Sequence, residues 1–261
     1  MAKIRASLTS IINSEEVTSI YYRIAEYLLS NNYLVKRVSI QDVADNCYCS
    51  KSTISRFCRK LGYDDFYELN LDLYSSTKKS QDKYNPYIVG NYEQNVNKYF
   101  EDVLSCIRYA KAYIKQEDVS NLVKDLKKYK YVGVFGNLQS HSVGEIFQND
   151  LGLSRKIVTA SSLPYNQKKF IQQANKDTLI IIISCLGKYF RNQIDLSIYP
   201  KTNRPKFVLL TSNLDADKNG VYDKVIYLPS EHNYASQPRI IDIFLNIVAI
   251  EYAQIIFKEV K

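Results

Sequence analysis

The segment CYCSKSTISRFCRKLGY, residues 47–63, sets Lys51, Arg56, Arg59 and Lys60 among the hydroxyls of Ser52, Thr53 and Ser55, with no acid between Lys51 and Lys60. Ammonium and guanidinium groups bind phosphate oxygens, and guanidinium and hydroxyl groups also hydrogen-bond base edges. On a helix, Ile54, Phe57, Cys58 and Leu61 share one apolar face, so the polar side chains share the other. A helix steadied by its own ion pairs would carry Asp or Glu three or four residues from each cation. None stands within this segment. The polar face therefore reads as a nucleic-acid contact. Lys51, Ser52, Thr53, Ser55 and Arg56 fall where a helix start meets base edges in a major groove, and Arg59 and Lys60 where phosphate is gripped.

The flanking residues predict how that helix is held. Ser50 offers a hydroxyl to the free amides of the first turn, and Gly62 suits the left-handed position that ends the helix. Ser39 ahead of Ile40, Gln41 and Asp42 is a capping-box-like start for a helix over 40–46, with Val43 and Ala44 inward. The short turn NCYC (46–49) between that helix and one over 51–61 has helix–turn–helix spacing. Upstream, Val17, Ile20, Tyr21, Ile24, Ala25, Leu28 and Leu29 make an apolar stripe. A fourth helix is expected over about 64–74.

Residues 75–92 are polar and hold Pro86 and Gly90, the composition of a linker. The expected domains are thus 1–76, a linker over 77–94, and 95–261. Helical spacing returns over 93–115 and 117–129. Five short β-rich runs then follow: YVGVFG (131–136), KIVTA (156–160), TLIIIIS (178–184), KFVLLT (206–211) and KVIYLP (224–229). Continuous apolar strands separated by helices predict a parallel sheet covered on both faces, closed by a long helix over 237–258.

With 261 residues and 46% hydrophobic content, the chain can build a real core and is not of the disordered class. Its net charge of +8 favours a polyanionic partner. The five cysteines form no even framework, so a reducing cytoplasm is expected. Cys47, Cys49 and Cys58 have no histidine near them and read as buried thiols; no metal or cofactor is expected. The first 16 residues contain no apolar run of a secretory signal. The longest aliphatic run, 179–183, falls far short of the ~20 residues that cross a bilayer. The stretch 240–257 is interrupted by Asp242, Asn246 and Glu251, and reads as a helix buried on most sides. The 23 tyrosines, with no tryptophan, read as core or interface.

The run over 39–73 resembles the N-terminal domain of RpiR/MurR-type bacterial transcriptional regulators. The match is carried by Ser50, Ser52, Thr53, Ile54, Ser55, Arg56, Phe57, Cys58, Arg59, Lys60, Leu61, Gly62 and Tyr63. That resemblance implies a double-stranded DNA partner with a pseudo-palindromic operator, a homo-oligomer, and a C-terminal sugar isomerase (SIS) domain. Such a domain is a five-stranded parallel sheet in a three-layer α/β sandwich. It also implies regulation of sugar or amino-sugar metabolism by a phosphorylated sugar.

In open parallel sheets, ligands sit at the carboxyl ends of the strands. The loop in FGNLQSHSVGEIF (135–147) is similar to the GxGxS turn of SIS domains at Gly136 and Ser140, with Leu138 in place of the second glycine. The loop SCLGKYFRNQ (184–193) is similar to SxSGxT at Ser184 and Gly187, with Leu186 and Tyr189 departing from it; Lys188 or Arg191 would supply charge instead. The expected effector residues are Gly136, Asn137, Gln139, Ser140, Ser184, Gly187 and Lys188. Ser161 and Ser162 are further candidates, and Ser140 fits a helix cap equally well. His141 reads as a helix-start residue sharing a face with Glu145, and His232 as part of a polar loop. Two alternatives stay open: a sugar-phosphate isomerase-like enzyme with an accessory helical domain, and a regulator whose SIS domain is only a dimerisation scaffold.

Overall fold

The computed structural model describes residues 3–31, 38–82, 84–187, 198–217, 220–231 and 235–259. The chain divides into two compact units, one of Met1–Pro86 with Ser162–Asn166, the other of Tyr87–Ser161 with Gln167–Lys261.

The first unit is helical: α1 (Lys3–Ser14), α2 (Ile20–Ser30), α3 (Ile40–Asn46), α4 (Lys51–Lys60) and α5 (Phe66–Asp82). Ile4, Leu8 and Ile11 of α1 recur at helical spacing and are fully buried against Ile24, Leu28, Val43, Ile54, Phe57 and Leu69. Val17 departs from the expected stripe. It lies before α2, outside the helix, and is 69% exposed. Ser39 closes the expected capping box: its Oγ accepts from the Asp42 amide at 3.1 Å, and Asp42 accepts from the Ser39 amide at 2.9 Å. Helix α5 runs eight residues past the expected 74, into the stretch expected as a linker. That stretch also holds a 3₁₀ turn (Asn85–Tyr87) and the start of α6 (Tyr92–Tyr113).

The second unit continues with α7 (Gln116–Lys128), β1 (Tyr131–Gly136), α8 (Gln139–Leu153), β2 (Thr159–Ala160), α9 (Pro164–Gln173), β3 (Thr178–Ile183), β4 (Lys206–Thr211), β5 (Lys224–Tyr227) and α10 (Arg239–Glu259). The five strands are parallel in the order β2-β1-β3-β4-β5. Alternation sorts each strand between two cores. Val132, Val134, Leu179, Ile181, Ile183, Val208 and Leu210 face α7, α8 and α10. Phe135, Ile180, Ile182, Phe207 and Leu209 face Ile171 and Ala174 at the end of α9. Every residue of β3 is buried, which is why its sequence is continuously apolar.

Helix α10 is apolar enough over Arg239–Lys258 to pass a length-and-hydropathy test for a membrane span, and 39% of it is buried. The expectation of a helix buried on most sides is corrected by Ile247, Ile250 and Phe257, which are exposed. The helix packs on α6, α7 and α8 through Ile240, Ile241, Phe244, Leu245 and Val248.

Buried Gln167 ties two strand ends together, its Nε2 donating to the carbonyls of Gly136 at 3.3 Å and Ser161 at 2.5 Å. Gln167→Ala is expected to leave both carbonyls without that donor and to lower unfolding free energy by about 1–3 kcal/mol, read as an earlier urea midpoint.

Candidate nucleic-acid interface and effector site

Helix α4 is fixed at both ends. The Ser50 hydroxyl accepts from the Thr53 amide at 3.2 Å. Gly62, at φ +81°, donates its amide to the Arg59 carbonyl, and Tyr63 donates to the Cys58 carbonyl, each at 3.0 Å. These are the two bonds of a Schellman ending. Ile54, Phe57, Cys58 and Leu61 are no more than 1% exposed, and their burial fixes how the helix is rotated. Lys51, Ser52, Arg56 and Arg59 consequently face solvent, with Thr53 and Ser55 half-buried. Ser55 donates back to the Lys51 carbonyl at 3.1 Å, and Ser52 shares a 2.7 Å hydrogen bond with Ser50. Arg56 Nη2 donates to Thr53 Oγ1 over 3.4 Å, a weak tether that leaves most of the guanidinium uncommitted. Lys51 and Arg59 have no hydrogen-bond or ion-pair partner among the described residues.

Lys60 is different. Its ammonium donates to Glu15 and stands 4.7 Å from the centre of the Tyr21 ring. That hydrogen bond is the main reason the Glu15 carboxyl is held below its ordinary value. The sequence segment holds no acid of its own; the partner comes from the α1–α2 turn, 45 residues away. Tyr48, not singled out from sequence, occupies the turn before α4 at φ +51° and is 85% exposed. Burial pushes the Cys47 and Cys58 thiols up to about 11 and about 12, so both stay protonated. Cys49, half-buried, is also raised by burial.

At the carboxyl end of the sheet, β1 and β3 are neighbours whose last paired residues are Gly136 and Ile183. The order 2-1-3-4-5 places the topological switch point here. The loops that follow meet where Ser140 Oγ lies 4.0 Å from Cys185 Sγ. Gly136 permits that approach, since a Cβ there would meet the Ser140 Cβ at 2.8 Å. Gly187, at φ +66°, turns its backbone against Ala216, where a Cβ would come within 2.3 Å. Asn137 accepts the Ser140 amide through its carbonyl at 3.0 Å, Gln139 is exposed, and Ser184 is buried. Lys188, Tyr189, Arg191 and His232 lie outside the described residues. Leu138 and Leu186 are exposed at this end, by 40% and 43%. Leu138 adopts φ +50°, ψ −122°, a backbone conformation suited to glycine. His141 Nε2 lies 3.1 Å from Glu145 Oε1, so the two do share a face.

Residues 3–80 match the family described as "Helix-turn-helix domain, rpiR family". This segment is an RpiR-family helix–turn–helix domain. An uncharacterised HTH-type transcriptional regulator, TTE0211, of Caldanaerobacter subterraneus subsp. tengcongensis is 34% identical over 83 residues, which cover 32% of this chain. This chain spans 27% of the length of that curated relative. Among solved structures, c3406 of E. coli CFT073, in complex with arabinose 5-phosphate, aligns at TM-score 0.51 and 13% identity over 64% of this chain and 93% of its own. The Vibrio vulnificus NanR protein, complexed with ManNAc-6P, aligns at TM-score 0.49 and 16% identity over 98% of this chain and 96% of its own.

In the RpiR-type domain, α3 and α4 are the two helices of the motif and the exposed cations lie on the second. The second unit has the expected SIS-like fold, with its five-stranded parallel sheet. Leu138 has replaced a glycine of the SIS turn while keeping glycine's backbone geometry, a strain of about 1–3 kcal/mol. Leu138→Gly is expected to relieve it and, after the entropy of the added glycine, to stabilise the second unit by about 1 kcal/mol in thermal denaturation. An unchanged or lower melting temperature would show that the leucine fits this backbone without strain.

Proposed function

We propose that the chain is a DNA-binding transcriptional regulator of sugar or amino-sugar metabolism, working in the cytoplasm as a homo-oligomer and without catalytic activity. The observation that carries this reading is the outward face of α4 in an RpiR-type domain, with Lys51, Arg56 and Arg59 exposed together. Arg56, with Lys51, Ser52, Thr53 and Ser55 around it, reads base edges. Arg59 binds phosphate, and Lys60 joins it by exchanging the Glu15 carboxylate for a phosphate oxygen. Two such heads in a dimer take half-sites of a pseudo-palindromic operator ~34 Å or a multiple of it apart. The exposed Phe100, Leu104 and Ile107 of α6 and Ile247 and Ile250 of α10, on helices packed together, support an oligomer that covers them.

The effector is assigned to the β1/β3 strand ends, with Gly136, Asn137, Gln139, Ser140, Ser184, Gly187 and Lys188 as its contacts. A phosphorylated sugar is the class to test first, since c3406, of like fold, holds arabinose 5-phosphate. The hydroxyls of Ser140 and Ser184 support that choice. Binding there shifts the quaternary equilibrium and with it operator affinity.

A gel shift on the DNA flanking the chain's own gene is expected to give a discrete complex. Arg56→Ala is expected to weaken it by about 1–3 kcal/mol and to relax preference at one base pair; unchanged affinity and preference would remove Arg56 from base reading. Glu15→Gln, which frees Lys60, is expected to tighten binding to all duplexes alike and to steepen the dependence of log K on log salt by about one unit. A salt slope identical to the wild type would leave Lys60 outside the interface.

A further inference from the structure

Tyr99, Gln139, Ser142, Gln237, Arg239 and Asp242 line a cavity of about 240 Å³ among α6, α8 and the start of α10. Gln139 and Ser142 lie on a different face of α8 from Ser140 and Gly144, which pack toward Gly136 and Val134 of β1. The cavity is smaller than the roughly 300–1,000 Å³ of drug-sized sites, so its occupant is small.

Its polar groups are arranged in a definite way. Arg239 Nε donates to the Ala235 carbonyl at 2.8 Å, and Nη2 donates to the Tyr99 hydroxyl at 3.1 Å. A guanidinium carries five N–H donors, so these two bonds position it without exhausting it. Asp242 is half-buried, and burial holds its carboxyl above the ordinary value against the opposing pull of Arg239. One cation and one anion balance each other, so the site calls for no net charge on its ligand. A guanidinium, a carboxylate and two amides are planar groups that pair with adjacent hydroxyls.

The cavity wall is also connected to the segment through which the chain enters the second unit. The Tyr99 ring meets the Tyr87 ring edge-on, centres 5.8 Å apart. The Tyr87 hydroxyl donates to Asp102 at 2.7 Å, and Lys98 pairs with the same carboxylate. Asp102 is 5% exposed, and a carboxylate buried that deeply depends on both partners. Tyr87 is the first residue of the second unit and ends the 3₁₀ turn.

We propose that this cavity binds a small uncharged polyol of free-sugar type, and that its contact with Arg239 and Tyr99 is relayed through Tyr87 and Asp102 to residues 84–91. The site is separate from the strand-end effector site, and neither its binding nor its relay depends on DNA.

The test uses the full chain, with glucose, N-acetylglucosamine, sorbitol and glucose 6-phosphate as calorimetric probes, and hydrogen exchange of residues 84–91 with and without the bound probe. At least one uncharged probe is expected to bind. Asp242→Asn and, as a milder surface change, Ser142→Ala are each expected to weaken it, the former by about tenfold or more. The bound probe is expected to slow exchange over 84–91, and Tyr87→Phe to abolish that slowing while leaving affinity unchanged. The site is refuted if no uncharged probe binds, or if Asp242→Asn and Ser142→Ala both leave affinity intact. It is equally refuted if only glucose 6-phosphate binds and Ser140→Ala, not Asp242→Asn, removes it, which places the ligand at the strand ends. Slowing that survives Tyr87→Phe refutes the relay. Loss of DNA binding in the gel shift, with these results intact, would count against the regulator reading alone.

Discussion

Burial of Ile54, Phe57, Cys58 and Leu61 decides how α4 is presented. With those four side chains in the core of the first unit, the helix has one permitted rotation, and Lys51, Arg56 and Arg59 emerge on its far side. The caps contribute less energy than the core but define where the helix starts and stops. The Ser50 hydroxyl places Lys51 in the first turn, and the Gly62 ending stops the helix before the cations run into α5. An α4 rotated by a third of a turn would bury an arginine and expose Phe57, which the core cannot tolerate. The basic surface is therefore a consequence of packing beneath it, and of the absence of acid on its own helix.

Charge on that surface is not uniform, and the exception is informative. Lys60 sits at the edge of the basic face, where Glu15 from the α1–α2 turn reaches it and the Tyr21 ring lies beneath. Both partners are at least partly solvated, so the pair contributes little to stability. Its effect is on availability. A cation held by a carboxylate must break that contact before it meets phosphate, whereas Arg59 has nothing to break. Two adjacent residues of like charge thus differ in what they can do, for a reason located far away in sequence.

The strands were readable because a parallel sheet buried on both faces needs unbroken apolar runs; β1 and β4 occupy the expected residues, and β3 ends one residue early. β2 is confined to Thr159–Ala160 because only Gly133 and Val134 of β1 pair with it. Helix α3 was readable from Ser39 and Asp42, whose reciprocal bonds are a local matter. What escaped was long-range or uncapped. Helix α1 has no capping residue to announce it, though Ile4, Leu8 and Ile11 stand at helical spacing and would have shown it. Glu15–Lys60, the Gln167 clamp and the cavity beside Arg239 depend on segments brought together by the fold, and no spacing rule announces them.

Leu138 and α10 show the two ways a local sequence can disagree with its setting. Leu138 breaks the glycine rule of its turn, yet the backbone keeps the glycine conformation, because Ser140 must still sit against Gly136 and the α8 start must still follow β1. The fold has overruled the residue. In α10 the residues overrule the simple picture of a core helix: Phe244, Leu245 and Val248 satisfy the sheet-side core, while Ile247 and Ile250 extend the apolar surface to the other side. Asp242 and Glu251 lie on the same helix, and α6, packed against it, carries Phe100, Leu104 and Ile107 in the open. Apolar surface that continues from one helix to its neighbour is poorly explained by core formation, since neither helix needs it to fold. It is the kind of area that association with a second copy would remove from water.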